Sequence, residues 1–228
     1  MKSSWKSSTR SAEGPASVSE LAEKFGSDPN GHLSSDLGEL EEAGFVAGSS
    51  GKNPVTGKDV REVRYRLRDN YTRFYLRYVL PKREAIGNGF YSYVPLERLP
   101  GWDAIMGLQF ENLVLNNISS LAPMIGLVGK NVESAAPYFK SGRKTGKGVQ
   151  IDYLVQLPRC VYVVEIKRKR TIGKSIEDEM QQKIDRLTLP RNRSVKTVLV
   201  YEGELDPAVE EDGFFDVVVS ADRLLGRG

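Results

Sequence analysis

Between Gln150 and Lys167 the chain reads QIDYLVQLPRCVYVVEIK: two apolar runs joined by Leu157-Pro158-Arg159, with Asp152 in the first and Glu165 and Lys167 closing the second. Residues two apart in a strand share a face. Glu165 and Lys167 are therefore expected on the side of Val161 and Val163, at the end where the apolar run stops. Strands paired across the Pro158 turn bring Asp152 opposite that end. Two carboxylates and an ammonium gathered there are the minimum set for metal-assisted phosphodiester hydrolysis. That chemistry needs an activated water and neutralisation of charge on the non-bridging oxygens, both of which a divalent ion can supply. Mg2+ takes few protein ligands, all of them oxygen, and keeps waters and substrate phosphate in its shell. Asp152 and Glu165 are the candidate ligands for Mg2+ or Mn2+, with the Ile166 carbonyl as a further one. Lys167 is the candidate for orienting the attacking water or offsetting charge on the phosphate. Glu111, on a long helix before the sheet, extends the carboxylate set, and Gln181, on the helix after Lys167, is the candidate for holding water or substrate.

The competing reading is a charge cluster where a strand meets solvent. Asp152 weighs against it, because Asp is disfavoured in a run of otherwise high strand propensity and costs stability unless something compensates it.

The chain has 228 residues, enough for one or two domains with a sizeable core. Its formal net charge is only +3, but the basic residues cluster. Arg61, Arg64, Arg66, Arg68, Arg73, Arg77, Lys82 and Arg83 form one run, and Lys167, Arg168, Lys169, Arg170 and Lys174 a second. Such runs are either solvated faces or phosphate-contact surfaces. One Cys and one His exclude an internal disulfide and a thiolate–imidazole zinc site. Cys160, beside an apolar run, is expected to be a buried small side chain in a reducing compartment. No stretch approaches the roughly 20 apolar residues of a membrane span. Residues 1–15 have no apolar run behind their basic residues, so they read as a flexible leader and not as a secretory signal. A cytoplasmic location is expected.

The elements that must position the site fall into two groups. Over residues 16–80, Val18, Leu21, Ala22 and Phe25 recur at helical spacing behind a Ser17–Glu20 capping pair, with Gly26 as the stop. Asp28–Gly31 is a turn, and Leu33, Leu37, Leu40 and Ala43 mark a second helix ended by Gly44. A polar linker and an alternating run, Val60–Leu67, complete a winged helix-turn-helix. An upstream helix is weak or missing. Tyr71–Val79 is an Arg–aromatic helix, read as packing beneath the winged unit in preference to stacking on single strands. Residues 81–101 are a connector. Residues 102–228 run as helix Ala104–Asn117, strand Tyr138–Lys140, a turn at Gly142–Gly148, strands Val149–Leu157 and Cys160–Ile166, helix Lys174–Leu187, and strands Ser194–Tyr201 and Phe215–Val219. The fold class is α/β in the second domain and α+β overall: a mixed sheet with flanking helices behind a winged helix. Gly142–Gly148 has the wrong spacing for a phosphate loop and precedes a strand, so ATP is not expected.

Ile151-Asp152 followed by Val163-Val164-Glu165-Ile166-Lys167 resembles the core motif of the PD-(D/E)XK nuclease superfamily. The resemblance implies Asp152 and Glu165 as metal ligands, Lys167 as the third motif residue, Glu111 as an acid from the preceding helix, and Gln181 as the helix glutamine of the RecB-like and junction-resolvase branch. Leu33 to Val46 and Arg64 to Tyr75 look like the C-terminal half of a family of archaeal and bacterial AAA-type ATPases, in which a winged helix precedes a nuclease-like domain. The nucleotide-binding module of that family has no counterpart here. The leading expectation is a DNA-associated, metal-dependent phosphodiester hydrolase or nuclease relic with the winged helix as docking module. One alternative is a non-catalytic regulatory protein that binds a protein partner through the winged helix. Another is a winged-helix transcription factor, disfavoured because the segment Pro29–Ala43 carries Asp36, Glu39, Glu41 and Glu42 and no Lys or Arg. Lys52, Lys58, Arg61, Arg64, Arg66 and Arg68, on and beside the wing, are the nucleic-acid contact candidates. Junction-like substrates would imply a homodimer.

Overall fold

Ser17 starts the first helix as its neighbours dictate. Its hydroxyl accepts from the Glu20 amide at 3.3 Å, and the Glu20 carboxylate accepts from the Ser17 amide at 2.9 Å, closing a capping box over Val18–Phe25 (α1). The other end stops at Gly26, whose positive φ of 65° is left-handed backbone that glycine adopts without a Cβ clash. The computed structural model describes residues 14–26, 31–91, 94–142 and 148–226. The expected turns at Asp28–Gly31 and Gly142–Gly148 lie largely outside these residues, as does the leader up to residue 13.

The chain divides into two compact units, residues 1–49 with 62–112 and residues 50–61 with 113–228. The division falls inside a helix, and residues 50–61 group with the second unit.

In the first unit Ala16–Ser17 (β1) precedes α1, followed by Gly31–Glu42 (α2), Val46–Ser49 (β2) and Arg64–Leu67 (β3). The three strands form an antiparallel sheet in the order β1-β3-β2, with Ala16 opposite Tyr65 and Val46 opposite Leu67. Strand–helix–helix–strand–strand is the element order of a winged helix-turn-helix. Ala16, Leu21 and Leu37 form its small core, packed by Val18, Leu33 and Tyr65. The aromatic run begins as Asn70–Phe74 (α3), capped by Asp69, and continues through a wide π-helical turn, Tyr75–Val79, and a tight turn, Leu80–Lys82, to Arg83–Gly87 (α4). Phe74 and Trp102 each pack on Tyr78, at 5.6 and 6.1 Å between ring centroids. Arg73 is buried with its Nη2 donating to the Leu67 carbonyl at 3.0 Å. Arg73 and Tyr78 thus pack inside the unit, whereas Tyr71 at the start of the run is exposed. Trp102–Asn116 (α5) ends the unit, where the buried Asn112 donates to the Arg68 carbonyl at 2.5 Å and to Asn70 at 2.9 Å.

The second unit contains Ile118–Met124 (α6), Ser134–Lys140 (β4), Val149–Gln156 (β5), Cys160–Ile172 (β6), Ser175–Arg186 (α7), Ser194–Leu205 (β7), Pro207–Glu211 (α8), Val217–Ser220 (β8) and Ala221–Leu224 (α9). The sheet order is β4-β5-β6-β7-β8, antiparallel from β4 to β6 and parallel from β6 to β8. A parallel neighbour needs a crossover, and α7 provides it between β6 and β7. Val161 to Ile166 of the central β6 are all buried, and Val161 and Val163 pack among Ile151, Ile176, Met180, Leu199, Val209 and Phe215. Cys160, expected to be buried, is half-buried because it sits at the first position of β6. Past Lys167, three steps of β6 (Arg168 to Thr171) oppose two of β7 (Glu202 to Glu204), a bulge. Gly203, at φ 124°, lies against it so closely that a Cβ would stand 1.8 Å from the Lys169 carbonyl oxygen.

Candidate active site

The ladder between β5 and β6 stops at Tyr153 opposite Val164, one step before Asp152 and Glu165 would face each other. There Asp152 takes over the role of a strand neighbour. Its Oδ2 accepts the Ile166 amide at 2.8 Å, which fixes the carboxylate at the opening between the strands. The side chains of Asp152 and Glu165 are only 10% and 5% exposed. Both face the same cation: the Lys183 ammonium donates to Glu165 Oε2 and stands 3.8 Å from Asp152 Oδ1. On the same strand face, two residues beyond Glu165, Lys167 Nζ donates to Glu179 Oε2 at 2.5 Å, and Lys169 Nζ lies 3.8 Å from Glu179 Oε1. Asp152, Glu165 and Lys167 thus all turn toward α7, and α7 answers with Glu179 and Lys183, one turn apart.

The electrostatics follow from this packing. Burial, reinforced by the Asp152 carboxylate, pushes the Glu165 carboxyl up to about 7, while the Lys183 and Lys167 ammoniums pull the other way. Burial alone would depress the Lys183 ammonium, but Asp152 and Glu165 reverse that and hold it above the usual lysine range. Partial burial works to raise the Glu179 carboxyl, yet its hydrogen bond to Lys167 and the charges of Lys167, Lys169 and Lys183 bring it below the usual range.

Two expected members have other surroundings. Glu111, on α5 in the first unit, lines a small cavity with Arg66, Arg73 and Asn112. Burial depresses both guanidiniums, and the Glu111 charge partly restores them. Gln181 is on the exposed side of α7, donating to Asp185 at 2.7 Å. The residues missed are Glu179 and Lys183. A signal for Lys183 exists in the sequence: it falls seven residues after Ile176 in the buried stripe Ile176, Met180, Leu187. A lysine in an apolar stripe requires a carboxylate partner. Gln181, one residue past Met180, is about 100° around the helix and leaves the stripe.

Among the described residues no group of three or more His, Cys, Asp or Glu side chains gathers as a metal cluster. The two buried carboxylates nonetheless fit a hard divalent ion by chemistry, since both are oxygen donors and already share one cation.

The nucleic-acid candidates separate by environment. Lys58, Arg61 and Arg68 are exposed. Arg64 is engaged by Glu20 at 2.6 Å and by the Pro15 carbonyl at 3.2 Å, and Arg66 is half-buried beside Glu111. Lys52 has its amide bonded to Ser134 Oγ at 3.3 Å and its carbonyl to the buried Gln156 Nε2 at 2.8 Å. In the second basic cluster Arg168 pairs with Glu202 at 2.6 Å and Lys174 with Asp212.

No family model, curated protein or solved structure matches the chain. It is placed by architecture alone. That architecture is an α+β fold, N-terminal helices with a small sheet followed by a five-stranded mixed sheet flanked by helices. No helix among the described residues is long and apolar enough to cross a membrane.

Proposed function

We propose that the second unit is a divalent-metal-dependent phosphodiester hydrolase acting on DNA, with the winged first unit as its docking module. The observation that carries this is the convergence of two buried carboxylates from neighbouring strands on one cation, with Lys167 on the same face. The motif resemblance to PD-(D/E)XK nucleases supports the same residues. Asp152 and Glu165 would hold Mg2+ or Mn2+, which would supply Lewis acidity at the phosphate and an activated water. The Ile166 amide, donating to Oδ2, keeps Asp152 in position. Lys167, which Glu179 holds at the edge of the site, is the ammonium available to the charge that builds on the phosphate. Glu111 is left out of the ligand set because its charge serves Arg66 and Arg73.

A second reading, a non-catalytic regulatory protein built on a nuclease-like fold, is favoured by one observation: the Lys183 ammonium already compensates the carboxylate pair. Cleavage of end-labelled single-stranded, duplex and branched DNA separates the two. The hydrolase reading expects Mg2+-dependent products that chelator abolishes and that fall at least 100-fold in Glu165→Gln and Lys167→Met. Intact DNA on all substrates with both Mg2+ and Mn2+ would favour the regulatory protein.

A further inference from the structure

Lys183 has no task in the proposed hydrolysis, yet it stands where that reading puts a metal ion. Its side chain is three-quarters buried, rooted in the stripe that packs α7 on the sheet, and its ammonium reaches carboxylates from two strands. Lysine fits such a place poorly unless it neutralises something, because a strongly hydrated point charge loses its water there. Here it offsets two buried like charges that would otherwise repel each other. The stem has four rotatable carbons, and Glu179, one turn earlier on α7, already attracts the ammonium from a position nearer solvent. An alternative seat for the displaced charge is therefore built into the same helix. That seat now holds Lys167.

We propose that Lys183 is a removable internal counter-ion, which neutralises Asp152 and Glu165 when no divalent ion is bound and which a divalent ion must displace to reach the same oxygens. The proposal rests on the reading of these two carboxylates as cation ligands. It makes Lys183 a regulator of metal affinity and not a ligand. The ammonium's move toward Glu179 would then release Lys167 toward the phosphate.

The test is calorimetric titration of Mn2+ alone into the full chain as wild type, Lys183→Met, and Lys183→Met with Glu165→Gln. Methionine keeps the apolar stem and removes the charge. Lys183→Met is expected to bind Mn2+ at least tenfold more tightly than wild type, and the added Glu165→Gln to abolish the gain. A structural role for Lys183 would not raise affinity. Wild-type binding with equal or weaker binding in Lys183→Met overturns the counter-ion and leaves the ligand reading standing. No Mn2+ binding in either protein overturns both. Should Lys183→Met be unfolded in chelator, the rise in melting temperature between chelator and saturating Mn2+ replaces the titration. A larger rise than in wild type supports the proposal, and an equal or smaller one overturns it.

Discussion

At the scale of single residues, Glu165 carries the sharpest consequence. Its carboxyl is pushed up to about 7 by burial and by Asp152, above an ordinary value of 4.5. The native state therefore holds more protons than the unfolded chain between those two values. Stability from this group is fully present below about 4.5 and is lost as pH rises through about 7. In chelator, wild type is expected to lose on the order of 2–3 kcal/mol across that window relative to Glu165→Gln. Urea unfolding at several pH values measures this, and parallel curves for the two proteins would remove Glu165 as the buried acid. Asp152, Glu165 and Lys167 were legible because strand alternation fixes which side chains share a face. Lys183 was not read because a lone lysine in a helical stripe looks like an interruption until its acid partners, 18 and 31 positions earlier, are brought against it. Gln181 is expected only from the resemblance to the RecB-like and junction-resolvase branch, whereas the buried stripe of α7 puts it toward water.

At the scale of elements, β6 runs to Ile172, six residues past its expected end at Ile166. The charged run after Lys167 does not look like a strand, but parallel pairing with β7 carries it beyond the apolar core and through the bulge at Lys169. α6 escaped reading because it is short and contains Pro123. The helix expected at Tyr71–Val79 was legible from its aromatic spacing, though not its change from α to π geometry. Gly203 makes room for the bulge, which interrupts the pairing of β6 with β7 just past Glu165 and Lys167. Gly203→Ala forces a side chain into left-handed backbone and against the Lys169 carbonyl. It should cost about 2–3 kcal/mol by urea melt. A change within a few tenths of a kcal/mol would mean the bulge can be rebuilt without glycine.

At the scale of the molecule, a net charge of +3 does not show which basic residues are matched by acids. Arg64, Arg66, Arg73, Arg168 and Lys174 all work against acids, most of them distant in sequence, so clustering alone could not show which cations face water. Phosphate contact should fall to exposed Lys58 and Arg61. DNA affinity is expected to drop steeply with salt. Changing both to Gln should reduce the slope of log K against log salt by about 2 without moving the melting temperature. Arg66→Ala should instead lower the melting temperature. Unchanged slopes in the double variant would move the DNA surface elsewhere. In the fold the division comes at Asn112–Leu113, within α5.

The central claim is that Asp152 and Glu165 form a divalent-cation site. Anomalous diffraction from crystals grown with Mn2+ tests it most directly. The account predicts a peak bridging the two carboxylates, with the Lys183 ammonium turned away from both. Saturating Mn2+ with no peak there, and Lys183 still seated on Glu165, would contradict it.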